Sequence, residues 1–306
     1  MDAATPTLAA GRSLAREFAL RLPRGGRVDL LAGRPRVVGI LNLTPDSFSD
    51  GGRYFAAERA VERALQLAGE GAELLDLGAE STRPGGGVYG AGASEVPAAE
   101  ELARLLPVLE RLRPLTGLPI SVDTRKGEVA RAALAAGADL INDVSALADP
   151  AMAPVIAAAG CPVVLMHSRG DLASMQAAIS FVDLVGEVRR ELALARDRAI
   201  AAGIAEEQIV LDPGIGFGKS AEQNLELVRR LGELAALGRP LLVGASRKSF
   251  LGRLTGAEAA ERLPESLAAA GWAALGGAAL LRVHDVAATR RFLTVWAALE
   301  HAGGAS

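Results

Sequence analysis

The sequence holds one cysteine, Cys161, and three histidines, His167, His284 and His301, in 306 residues. A single cysteine excludes an internal disulfide and fits a reducing, cytoplasmic setting. Three histidines without an H-E-x-x-H pair give a zinc hydrolase no ligand set. Positive charge is also short. Lys and Arg number 33 against 36 Asp and Glu, a net charge of −3, so there is no broad basic field for nucleic acid. Long apolar runs are missing too. The most membrane-like stretch, SLAAAGWAALGGAALL between Glu265 and Arg282, falls short of the roughly 20 residues a spanning helix needs. It reads as a helix packed on a sheet and running into a strand, with no membrane role. Arg12 and Arg16 have no apolar run behind them, so no secretory signal is expected. No short repeat or low-complexity linker divides the chain, and one domain is expected.

What is present is apolar and regularly spaced. Half of the residues are hydrophobic (50%), enough for one large core. Eight short runs recur: VVGILNL (37–43), ELLDLGAES (73–81), PISVDT (119–124), DLINDVS (139–145), PVVLMH (162–167), IVLDPGIG (209–216), PLLVGAS (240–246) and ALLRVHD (279–285). Near-continuous hydrophobicity suits parallel strands buried on both faces. Helix-period stretches such as AAERAVERALQLAGEG and FVDLVGEVRRELALARDRAIAAG lie between them, with Gly71, Gly137 and Gly203 where helix C-caps belong. Eight β-α units in series predict an α/β chain folded as a (β/α)8 TIM barrel over residues 37–302. On this pattern alone a doubly wound open sheet competes. Residues 1–36 precede the first strand as an N-terminal extension, in which GGRVDLLAGRP is expected to form a short hairpin closing the barrel bottom.

The polar residues concentrate at the C-terminal ends of the runs: Asn42, Glu80 with Ser81 and Thr82, Asp123, Asn142 with Asp143, Met166 with His167, Asp212, Ser246 with Lys248, and Arg282 with His284. In a (β/α)8 barrel those ends and the loops after them form the active site. Asp123 and Asp212 each end a mostly apolar run. A carboxylate placed there must be paired or hydrogen-bonded. It either caps the next loop or accepts from a ligand with several N–H donors, such as an amino-substituted heterocycle. Asn142 can donate and accept, which suits the mixed edge of such a ring. Arg282 and His284 are two apart on one strand and so share a side. With no acid between them, a plain salt bridge is the less favoured reading, and with Lys248 they fit a phosphate or diphosphate. Lys248 alone would pass for a surface lysine, and Arg247 for a surface or supporting residue.

Two motif matches fail. DPGIGFGKS has Pro213 where a Walker loop needs glycine, and GASRK has Lys248 where a nucleophile elbow needs its second glycine. The glycines at 214, 216 and 218 instead let the backbone bend close to a ligand. In GILNLTPDSFSDGG, Asn42 and the hydroxyls after it suit Mg2+, with Asp46 and Asp50 open to ordinary turn chemistry. STRPGGGVYGAG is a second glycine-rich loop, from which Thr82 and Arg83 could reach a ligand.

GILNLTPDSFSDGG, ESTRPG, SVDT, INDVSA, LMH, LDPGIGFGK, GASRKSFLG and RVHDV follow one another in that order. Over roughly residues 37–298 the chain thereby resembles the dihydropteroate synthase family of folate biosynthesis. The resemblance implies a (β/α)8 barrel, usually a homodimer. It implies a transferase that condenses 7,8-dihydropterin-6-ylmethyl diphosphate with 4-aminobenzoate to 7,8-dihydropteroate and diphosphate, assisted by Mg2+ and blocked by sulfonamides. Carried over by motif, Asp123, Asn142, Asp212 and Lys248 would hold the pterin, with Met166 packed on it. Arg282 and His284 would hold the diphosphate and Asn42 the metal, with Thr82 beside the diphosphate. Arg83, Phe217 and Ser246 would form the aminobenzoate site, and Asp123, Lys248 and Arg83 would act at the reacting centre. The loop after STRPG is longer here than in compact members. A corrinoid methyltransferase using a reduced folate, and a pterin-binding paralogue without turnover, are the alternatives.

Overall fold

The structure is a computed structural model and describes residues 16–44, 52–80, 96–169 and 180–302. Its centre is a sheet of eight parallel strands: β3 (Arg36–Asn42), β4 (Leu74–Gly78), β5 (Ile120–Asp123), β6 (Leu140–Asp143), β7 (Val163–Met166), β8 (Ile209–Asp212), β9 (Leu242–Val243) and β10 (Leu280–Val283). Their spatial order, β8-β7-β6-β5-β4-β3-β10-β9, follows the chain around a circle. The ends meet where Leu211 bridges Leu241 and donates its N–H to the Pro240 carbonyl at 3.0 Å. An open doubly wound sheet would reverse strand order at its middle; this sheet does not, and it curls into a nearly closed barrel.

Helices α1 (Gly52–Gly69), α2 (Ala98–Leu112), α3 (Gly127–Ala135), α4 (Met152–Ala159), α5 (Leu184–Ala201), α6 (Ala221–Arg229), α7 (Ser249–Thr255), α8 (Leu263–Leu275) and α9 (Val286–Ala302) lie between and after the strands. Their ends follow local chemistry. Asp183 caps α5 by accepting the Gly186 N–H at 3.1 Å, and Ser220 with Gln223 forms a reciprocal capping box on α6. Gly137 leaves α3 at φ +106, a backbone angle open mainly to glycine.

The pleat sorts each strand into two faces. In β4, Leu75 and Leu77 join the core under the helices, whereas Leu74 joins a second cluster inside the barrel. That inner cluster takes one residue from most strands, among them Val38, Leu74, Leu140, Val164, Val210, Leu242 and Leu280. It is completed by Leu20, Val28 and Leu30 from an antiparallel hairpin of β1 (Glu17–Arg21) and β2 (Arg27–Leu31). The hairpin therefore plugs the bottom of the barrel. GGRVDLLAGRP supplies its turn glycines and second strand only. The first strand is EFALR, which precedes that stretch and turns the apolar Phe18 and Leu20 to the cluster.

Two residues further along each strand, on the same inward face, the chemistry changes. Leu74 is followed by Asp76, Leu140 by Asn142, Val164 by Met166, Val210 by Asp212 and Leu280 by Arg282. Strand register places Asn42, Gly78, Asp123 and Asn142 in one row across four neighbouring strands. The apolar floor thus ends and a polar mouth begins within one residue pair.

Candidate active site

Arg282 stands at the centre of this mouth. Its Nε donates to Asp76 Oδ2 at 2.5 Å and its Nη2 to Asp123 Oδ2 at 2.8 Å. Asn142 Nδ2 adds a longer bond of 3.4 Å to the same Asp76 oxygen. The salt-bridge reading, the less favoured one from the sequence, therefore holds for Arg282: its acids come from β4 and β5, far away in the chain. The second oxygens tell more. Asp76 Oδ1, Asp123 Oδ1 and Asn142 Oδ1 are buried and have no hydrogen-bond partner among the described residues. Burial pushes the Asp123 carboxyl up, to about 7, against the pull of Arg282 and with Asp76 adding to the rise. Burial also opposes the Arg282 charge, but Asp76 and Asp123 outweigh it and hold the guanidinium charged above its ordinary value.

Asp212 forms the facing wall. It is 6% exposed, and its Oδ1 accepts the Gly214 N–H at 2.7 Å. Burial raises its carboxyl, opposed by that N–H and by the Lys248 ammonium. Lys248, at the start of α7, donates to the Ile215 carbonyl and lies 4.2 Å from the centre of the Phe217 ring. Burial lowers its pKa to about 8, against the pull of Asp212; a solvated surface lysine would not behave so. Phe217, Met166 and Val144 form a small apolar cluster of their own, apart from both larger cores. Beside it, Ser246 Oγ accepts the His284 N–H at 3.2 Å and lies 3.1 Å from His284 Nδ1. With Oγ already accepting, its hydroxyl proton can go to Nδ1, which leaves the ring proton on Nε2. Arg247 turns away and pairs with Asp285, its Nε 2.8 Å from Oδ2.

The mouth offers unsatisfied acceptors on one wall, cations on another and an apolar slot between, a combination suited to a flat ring rich in N–H groups. A model of the pterin binding enzyme family matches residues 38–284. The chain belongs to that family. A Synechocystis dihydropteroate synthase is 45% identical over 91% of this chain and 94% of its own length. A Neisseria meningitidis serogroup B dihydropteroate synthase is 47% identical over 90% of this chain and 96% of its own. Among solved structures, a Xanthomonas albilineans dihydropteroate synthase with 4-aminobenzoic acid superposes with a TM-score of 0.84. It is 50% identical and covers 92% of this chain and 98% of its own. The Xanthomonas albilineans enzyme in complex with 7,8-dihydropteroate gives a TM-score of 0.77 at 48% identity, covering 87% and 94%.

Within this pterin-binding barrel, most of the residues singled out in the sequence meet at one place. Asp123, Asn142, Met166, Asp212, Phe217, Ser246, Lys248, Arg282 and His284 all lie at strand ends or in the loops that follow them. Asn42 ends β3, half-buried, in the same row as Asp123. Thr82 and Arg83, with Asp46 and Asp50, lie outside the described residues. Glu80 and Asp143 have other duties. Glu80 accepts from Lys126 Nζ at 2.8 Å, from Arg125 Nε and Nη2 at 3.2 Å each and from the Val96 N–H at 3.0 Å. It ties the end of β4 to the loop after β5. Asp143, on the outward face of β6, caps its own turn through the Ser145 and Leu147 N–H groups. Two residues escape a reading of the sequence. Asp76 sits inside an apolar run, and only the period-two alternation with Leu74 marks it as inward. Lys219 closes the failed Walker motif yet is 2% exposed.

Proposed function

We propose that this chain catalyses the dihydropteroate synthase reaction, joining 7,8-dihydropterin-6-ylmethyl diphosphate to 4-aminobenzoate with loss of diphosphate. The supporting observation is the trio of buried oxygens on Asp76, Asp123 and Asn142 that have no partner among the described residues. Leaving such acceptors bare costs roughly 1–3 kcal/mol each. A pterin brings the ring N–H and amino donors that would satisfy them. In this reading Asp123, Asn142 and Asp212 accept from the ring, Lys248 donates to it, and Met166 and Phe217 cover its faces. Arg282 and His284 Nε2–H bind the diphosphate. The CH2–O bond breaks with its electron pair leaving on the diphosphate oxygen. The positive charge left on carbon is shared into the ring and stabilised by Asp123 and Asp212. The arylamine lone pair then forms the C–N bond and the acidic anilinium nitrogen passes its proton to water, so no strong base is required of the protein. Ser246 and Phe217, with Arg83, flank the amine.

Among the described residues no group of three or more His, Cys, Asp or Glu could hold a metal. That suits Mg2+, which takes few protein oxygens and relies on substrate phosphates. Asn42, with a neutral amide oxygen, would be the protein's contact, and bound Mg2+ would neutralise charge on the departing diphosphate. No described helix is long and apolar enough to cross a membrane. Trp272, Leu275, Val295 and Leu299 are exposed on α8 and α9, which supports a homodimer through that face; sedimentation showing a monomer at all concentrations would remove it. The relatives offer the corrinoid methyltransferase no support. Supplying both substrates with Mg2+ tests the main reading: dihydropteroate and diphosphate should appear in equal amounts. Binding of the pterin diphosphate without product would leave only a pterin-binding paralogue.

A further inference from the structure

Lys219 is a buried cation without a carboxylate in bonding contact among the described residues. Its Nζ is 3.0 Å from the Gly214 carbonyl, 2.9 Å from the Phe217 carbonyl and 3.0 Å from His167 Nδ1. All three acceptors are neutral. His167 must then carry its proton on Nε2, which donates to Glu191 Oε2 at 2.9 Å. Burial and Lys219 keep His167 neutral, lowering it to about 4, while Glu191 opposes. Burial lowers Lys219 itself to about 7, with Asp212 pulling the other way and Lys248 reinforcing the fall. A continuous chain therefore runs from α5 through the end of β7 to the loop after β8.

That loop is wrapped around the lysine. Gly214, Gly216 and Gly218 take φ of +66, +84 and +57, which lets the carbonyls of Gly214 and Phe217 face inward. A Cβ on Gly214 would lie 1.8 Å from the His167 carbonyl oxygen, so the turn has no room to relax backward. Asn224 Oδ1 takes the Gly216 N–H at 2.6 Å. The outward side of the same turn carries the contacts of the candidate site: the Gly214 N–H on Asp212, the Ile215 carbonyl on Lys248, and the Phe217 ring under Lys248.

We propose that Lys219 is a positioning residue: by clamping the Gly214 and Phe217 carbonyls, it holds Asp212, Phe217 and Lys248 in the arrangement that receives the substrates. Lys219 touches neither substrate, and the proposal rests on the function proposed above. Lys219→Met keeps the aliphatic stem and removes the donors. Dissociation constants for the pterin diphosphate by calorimetry, and KM and kcat where there is turnover, read the outcome. Each lost buried donor is worth enough to weaken binding by about tenfold, so the Kd and both KM values should rise by at least that much, with kcat within about threefold. Lys219→Ala should show the same defect and recover binding when ethylammonium is added, which a merely structural loss would not do. His167→Phe keeps a ring but removes one acceptor, and should raise Kd by about threefold; it carries the test if the Lys219 variants do not fold. Wild-type Kd in a folded Lys219→Met, or in His167→Phe when that variant stands alone, overturns the proposal. So does a loss confined to kcat. Absence of turnover in the wild type would instead strike the reaction, since Kd is read without it.

Discussion

The two ends of the barrel are made by the same strands and obey opposite rules. At the bottom, Leu74, Leu140, Val210 and Leu280 pack against Leu20 and Leu30 of the hairpin, all nearly inaccessible. At the mouth, two residues on, Asp76, Asn142, Asp212 and Arg282 stand on the same inward face. The bottom stabilises: each fully buried Leu or Val contributes roughly 1.5–3 kcal/mol. The mouth costs stability, because its carboxylates are stripped of water and three of its acceptors have no partner among the described residues. Open space alone does not mark a functional end. A cleft of about 640 Å3 opens beside the hairpin, lined by Phe18, Gln208 and Arg239 among others. There the Gln208 amide is fully engaged with Arg21 and Gly160. Three unsatisfied acceptors gathered on the inward faces of neighbouring strands, Asp76, Asp123 and Asn142, mark the functional end.

The largest effect should come from the mouth. Asp123→Asn preserves shape and leaves Arg282 paired with Asp76, but removes a charge placed to stabilise the cationic ring. On the proposed reaction kcat/KM should fall by about 100- to 1000-fold, with no loss of melting temperature. Arg282→Ala should lose as much activity and also stability, since it strands two buried carboxylates. Steady-state rates together with thermal melts check both. Wild-type turnover in either variant would break the contrast between the two ends.

Leu20→Ala asks the converse question at the bottom. The side chain is 0% exposed, and its truncation should cost about 2–5 kcal/mol. Urea unfolding should show a lower midpoint, while kcat/KM of the folded enzyme stays within about twofold. An activity loss matching that of Asp123→Asn would mean that the ends are coupled and the division is false.

How much of this contrast is legible in the sequence depends on distance along the chain. The barrel is legible because strands covered on both faces are apolar throughout, and eight such runs stand out. Asp123, Asp212 and Arg282 are legible because they interrupt or end those runs. Asp76 is not, because its inward direction depends on the pleat and its partner Arg282 lies 206 positions away. Lys219 looks like the polar end of a glycine loop. Its burial is decided by His167, 52 positions earlier. EFALR is too short to announce itself as a strand and is held by the barrel floor it covers. Local pattern reveals elements and their ends, and contacts between distant strands decide which polar residues are paired.

The smallest predicted effect concerns the cost of the mouth, read through pH. The Asp123 carboxyl titrates at about 7 in the folded chain, against an ordinary 3.8, chiefly because it is buried. A carboxyl raised on folding binds protons in the native state that the unfolded chain has released. Its stabilising contribution is therefore complete below about pH 3.8 and is lost as pH rises to about 7. Asp123→Asn stays neutral and is spared this loss. The melting temperature of the variant minus that of the wild type should stay level below pH 4 and widen up to about pH 7. The widening should be on the order of 1–3 kcal/mol, or about 2–6 °C. Glu191, which His167 and Arg169 hold down to about 2, has the opposite dependence: its contribution is lost as pH falls below 4.5. It is present in both proteins and cancels from the difference. A gap that narrows as pH rises would mean that Asp123 is comfortable as a carboxylate, and that the mouth is as relaxed as the floor beneath it.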